Sequence, residues 1–231
     1  MDYAIDKNEV LRYLGYAGQE ADSAIFERID RIIEECQRDL APKNVVGYFA
    51  VDAANRDRLE NPSIALVGTS LVLPGKDIAC HLGTARECAL LACTLGAKSE
   101  QELARRKAIN PLDALIYDSA CSALVERVAD SVEATIVESA ARRGLFTNSR
   151  YSPGYGDLPL SVQPTFLKVI GAFERIGLTV TKTNLLLPTK SITAIVGIFD
   201  EPPSEEVERS CSSCNMKDFC AVRASGKVCH G

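Results

Sequence analysis

Arg150-Tyr151-Ser152-Pro153-Gly154-Tyr155-Gly156-Asp157-Leu158-Pro159-Leu160-Ser161-Val162-Gln163 is the most informative stretch of the chain. Two glycines and Pro153 make a fixed turn with exposed backbone amides. Arg150 offers a planar fork that matches a carboxylate or a phosphate. Tyr151 and Tyr155 offer aromatic faces to a flat or cationic ligand. The same residues also suit an ordinary surface loop with a solvated arginine.

The loop is flanked by elements that can hold it. Asn110-Pro111 is a helix cap followed by proline in the first helical position, and helical patterning runs on to Arg142-Arg143-Gly144. Beyond the loop, Phe166, Leu167, Ile170, Phe173 and Ile176 mark one amphipathic helix ending at Gly177. Two strands are expected near Leu178–Leu187 and Ser191–Phe199, turning at Pro188-Thr189-Lys190. Toward the N-terminus, Asp6 and Glu9 can cap a short helix that ends near Gly15, and residues 22–40 form an amphipathic helix stopped by Pro42. Val45–Val51, Ile64–Val67 and Leu71–Leu73 are β-prone. A helix is expected over Ile78–Leu95, closed by Gly96, with a further capping-box pattern at Ser99 and Glu102. Helices thus alternate with strand pairs, which fits an α+β domain better than a doubly wound sheet.

Composition excludes several classes of function. The 231 residues are 46% hydrophobic and 25% charged, which suits a folded domain. A net charge of -5 gives no general attraction to nucleic acid. No 18-residue apolar run is present, so no membrane span is expected. The acidic opening Met1–Asp6 lacks a signal core, and nine cysteines without one point to a reducing, cytoplasmic setting. Cys36, Cys80, Cys88, Cys93 and Cys121 sit in apolar helical patterns and are expected to be packed core residues.

The C-terminal segment differs in composition. After the Glu201-Pro202-Pro203-Ser204 linker comes Cys211-x2-Cys214-x5-Cys220-x8-Cys229. Four thiolates this close suggest an iron–sulfur cluster, with tetrahedral zinc as the alternative. The expected organisation is therefore a main domain over 1–200, and a linker with a small Cys-rich metal-binding tail over 201–231.

The Arg150 loop resembles the Arg-x-Ser/Ala-Pro-Gly-Tyr motif of the activation domain of cobalamin-dependent methionine synthase. The similarity extends from Lys76-Asp77-Ile78 to Lys190-Ser191-Ile192. It implies a twisted antiparallel sheet with long helices, and binding of S-adenosylmethionine at this loop. By motif position, Arg150 would hold the methionine carboxylate, while Ser152, Gly154 and Tyr155 line the ligand. A family glutamate in the preceding helix matches Glu126, which could pair with the ligand's ammonium group. Asp130 and Glu133 lie on the same side of that helix, so an acidic surface face competes with this role. The fused enzyme continues with Tyr-Pro-x-Cys-Pro, whereas this chain has Tyr155-Gly156-Asp157-Leu158-Pro159 and resembles stand-alone relatives.

No Asp-x-His-x-x-Gly corrinoid motif is present; the two histidines are His81 and His230. The resemblance therefore implies cobalamin on a partner: a methionine synthase lacking its own activation domain. It implies reductive reactivation in trans, by methyl transfer from S-adenosylmethionine, with a low-potential donor such as flavodoxin or ferredoxin. An iron–sulfur electron-transfer protein, or a non-catalytic module capping a corrinoid protein, are the alternatives. No residue is nominated as a catalytic acid, base or nucleophile.

Overall fold

Within Glu87–Thr94 the residues Cys88–Cys93 are apolar at consecutive positions, a pattern that cannot distinguish a buried helix from a central strand. In the computed structural model, which describes residues 3–16, 22–52 and 62–203, it is the strand β4. It pairs antiparallel with β1 (Lys43–Ala50) on one side and β8 (Ser191–Phe199) on the other. The short β5 (Phe146–Thr147) completes a four-stranded sheet ordered β1-β4-β8-β5.

Both faces of this sheet are covered, which explains the missing alternation. Cys88, Leu90, Ala92, Ile195 and Phe199 enter one core. Ala89, Leu91, Ala194, Val196 and Ile198 enter another on the opposite face. The expected helix over Ile78–Leu95 is therefore corrected. It is α3 (Lys76–Leu82), stopped at Gly83, followed by β4. Ala, Leu and Cys carry weak strand propensity, but pairing on both edges overrides it.

The helices α1 (Lys7–Tyr13), α2 (Ser23–Asp39), α4 (Ala97–Ile109) and α5 (Pro111–Arg142) gather on one side. Asp6 caps α1 and Asn110 caps α5, both through side-chain acceptance of first-turn N–H groups. α5 runs 32 residues without a break. Arg106 stitches this layer together. It is 11% exposed, bonds Glu102 at 2.7 Å and Glu35 at 2.5 Å, and lies over the Tyr117 ring. Ser99 is not a helix cap. Gly96 holds that place in α4, the Ser99 hydroxyl donates to its carbonyl at 2.7 Å, and Glu102 pairs with arginines instead.

The other face carries α3, the hairpin β2 (Ser63–Ala65) and β3 (Val72–Pro74), and α6 (Gln163–Val169) with α7 (Ala172–Ile176). The single helix expected around 166–176 is split, because Gly171 adopts a left-handed φ of 62°. The strand expected at Leu178–Leu187 is a small hairpin, β6 (Thr179–Val180) with β7 (Leu186–Leu187), turning at Asn184. The cysteine expectations hold for Cys36, Cys88, Cys93 and Cys121, which are buried, though Cys88 and Cys93 lie on a strand. Cys80 is exposed, since it falls on the outer side of α3.

Candidate functional site

After β5 the chain continues along the edge of β8. Tyr151 and Ile195 exchange two backbone hydrogen bonds, of 2.9 and 2.8 Å. Neighbouring residues on an extended segment point to opposite faces. Tyr151 packs into the core shared with α3 and α6. Arg150 goes the other way and reaches α5.

There the guanidinium meets three carboxylates at helical spacing. Nε lies 2.9 Å from Glu133, and Nη2 lies 2.6 Å from Asp130 and 3.7 Å from Glu126. Glu133 also accepts the Arg150 backbone N–H at 3.0 Å. One carboxylate thus fixes both the backbone and the side chain of Arg150. The arginine side chain is 20% exposed, so it is a held group and not the solvated one of the plain-loop alternative. Glu126 and Asp130 are each about half exposed and form the open side of the cluster.

Glu126 is pushed above the ordinary glutamate value of 4.5, first by desolvation. Arg150 opposes this, and Asp130 adds like-charge repulsion. From α1, Arg12 lowers Glu126 and Glu9 raises it; the Tyr13 hydroxyl is raised, first by burial and then by Glu126.

The loop is a closed turn. Gly154 N–H donates to the Leu158 carbonyl at 2.8 Å, and Tyr155 N–H to the Ser152 carbonyl at 3.1 Å. The amides that the sequence suggested as exposed donors are spent inside the turn, which corrects that expectation for Gly154 and Tyr155. Pro153 and Leu158 are buried beneath it, and the Tyr155 ring is 64% exposed. Upstream, Asn148 donates to the His81 carbonyl and accepts from Gly197 N–H, both at 2.7 Å. The structure thus brings Arg150 and Glu126 together, with Ser152, Gly154 and Tyr155 on the turn that follows.

No family model matches the chain, and no curated protein sequence is similar to it. A solved structure is similar: the crystal structure of the MetH reactivation domain bound to AdoHcy, with a TM-score of 0.66 and 15% identity, over 97% of this chain and 82% of that one. The chain has the fold of the MetH reactivation domain. That likeness agrees with the α+β architecture and antiparallel sheet expected from the motif.

On the MetH reactivation-domain fold, several anchoring residues were not legible as such in the sequence. Asn148 and Asp157 hold the loop to other elements; Asn148 carries no local motif, and the motif around Asp157 does not show what it binds. Cys211, Cys214, Cys220 and Cys229 lie outside the described residues. Among the described residues, no group of three or more His, Cys, Asp or Glu side chains could hold a metal ion. Among them, too, no helix is long and apolar enough to cross a membrane.

The raised Glu126 carboxyl has a signed consequence. A carboxyl raised on folding contributes stability below its unfolded value and loses it as pH rises through the folded one. Replacing Glu126 with Gln should therefore help more at neutral pH than in acid. In urea unfolding, the stability difference between Glu126→Gln and wild type should grow in favour of Gln as pH rises above about 4.5. A difference that shrinks over that range would show that attraction to Arg150 dominates.

Proposed function

We propose that this chain reactivates, in trans, a cobalamin-dependent methionine synthase that lacks its own activation domain. One observation carries the proposal. On a reactivation-domain fold, the loop arginine at the motif position, Arg150, stands beside a strip of carboxylates that includes Glu126. S-adenosylmethionine bears a carboxylate, an ammonium and a sulfonium. A cationic fork beside an acidic strip complements that set of charges.

In this proposal Arg150 holds the ligand carboxylate. Asp130, half exposed and held by a single contact, is the partner the ligand competes with; Glu133 stays as the anchor. Glu126 takes the ammonium. Ser152, Gly154 and the exposed Tyr155 ring line the ligand from the turn. The methyl group passes to cob(I)alamin on the partner, formed from cob(II)alamin by one electron from a flavodoxin or ferredoxin. The cobalt electron pair forms the new bond, the carbon–sulfur pair stays on sulfur, and S-adenosylhomocysteine leaves as a neutral thioether. No acid or base is needed, so this chain's work is binding, orientation and exclusion of water.

Titration calorimetry tests the ligand assignment. Wild type should bind S-adenosylmethionine, and Arg150→Ala should lose about 1.5–3 kcal/mol, roughly tenfold or more in affinity. Equal affinities would remove Arg150 from the site.

The tail is proposed to hold an iron–sulfur cluster on Cys211, Cys214, Cys220 and Cys229, with zinc as the alternative. Its spacing gives one Cys-x-x-Cys pair, where zinc ribbons use two. Protein purified without oxygen should contain iron and acid-labile sulfide, and Cys214→Ser should lose both. Zinc without sulfide would decide for the structural alternative.

A further inference from the structure

α3 begins without a cap of its own. Its N-cap residue is Gly75, which has no side chain to accept the first N–H groups of the helix. A residue far along the chain supplies the cap. Asp157 Oδ2 accepts Lys76 N–H at 2.6 Å and Oδ1 accepts Asp77 N–H at 3.1 Å, across 81 and 80 residues of sequence. Both oxygens are used, and a carboxylate at a helix start is favoured by charge as well as by hydrogen bonding.

Two glycines make room for this contact. A Cβ at Gly75 would collide with the Asp157 carboxylate, and one at Gly156 with the Asp77 carboxylate and the Tyr151 hydroxyl. Gly75 has φ 133° and Gly156 φ 50°, conformations that a side chain would resist. The same helix holds the loop again at its far end, where Asn148 binds the His81 carbonyl and the Tyr151 ring packs 4.9 Å from the His81 ring. Between these anchors the Tyr151 hydroxyl donates to the Tyr155 carbonyl at 3.1 Å. The turn from Arg150 to Tyr155 is thus strung along α3.

We propose that Asp157 is the positioning residue of the ligand loop, seated in a socket formed by Gly75 and the first two N–H groups of α3. It touches neither Arg150 nor the proposed ligand. It fixes the downstream end of the turn whose upstream end Glu133 fixes through Arg150. The Gly156-Asp157 pair, where the fused enzyme's motif runs Pro-x, is then a means of preorganisation: without it, ligand binding must also order the loop. The proposal rests on the loop being the S-adenosylmethionine site.

Hydrogen exchange and calorimetry with S-adenosylhomocysteine test it, on Asp157→Ala, Asp157→Asn and Gly75→Ala. Amides over residues 76–77 and 151–158 should exchange at least about tenfold faster in all three variants, with α5 unchanged. Affinity should fall about tenfold in each. The Asp157→Ala/Arg150→Ala double variant should bind more weakly than Arg150→Ala alone, because ordering of the turn and the Arg150 contact contribute separately. Unchanged exchange in Asp157→Ala overturns the proposal, and so does an Asp157→Ala affinity equal to that of wild type. If wild type does not bind S-adenosylhomocysteine, the functional reading fails, and exchange alone decides whether Asp157 locks the loop.

Discussion

The paired hydrogen bonds between Tyr151 and Ile195 are the constraint on which the site depends. They attach the loop to the open edge of the sheet beside β8. They also impose the strand alternation, so that consecutive residues leave on opposite faces. Arg150 is delivered to α5 and its carboxylates, and Tyr151 to α3 and His81. A slip of one residue would exchange the two and leave a guanidinium against the apolar core, so the register is strongly fixed.

Charge decides what such a site prefers. Glu126, Asp130 and Glu133 together outnumber Arg150, so a cation is favoured near the open side of the cluster. Burial already disfavours the charge on Glu126, and a ligand ammonium would relieve that cost. Glu133 keeps the fork aimed while Asp130 can give way. Such an arrangement lets a zwitterionic, sulfonium-bearing ligand satisfy both signs at once, whereas a simple anion would meet repulsion from three carboxylates. In a charged hollow between α2, α4 and α5, Arg38, Arg105 and Arg106 pair with Asp39, Glu102 and Glu35, and Lys98 donates to the Asp39 backbone carbonyl.

Much of this was legible in the sequence where the signal is local. Asn110-Pro111 marked the start of α5, Gly144 its end, and the Arg150 loop stood out by its glycines and proline. The acidic face of α5 could be read from its spacing, but its pairing with Arg150 could not, because that contact joins residues brought together by the sheet edge. β4 was hidden for a different reason: buried on both faces, it shows no period, and its Ala and Leu residues favour a helix locally. The Asp157 contact was invisible because the helix it caps lies some 80 residues earlier. Nothing local to Gly75 in the sequence shows that its missing side chain makes room for a carboxylate.

The central claim is that an S-adenosylmethionine site on this chain serves cobalt on another. The direct measurement is the absorption spectrum of a cobalamin-loaded methionine synthase that lacks its activation domain, held as cob(II)alamin with S-adenosylmethionine and a low-potential reductant. Adding this chain should convert the spectrum to methylcobalamin, and adding Arg150→Ala should do so far more slowly. Equal rates of methylation with and without the chain would contradict the account.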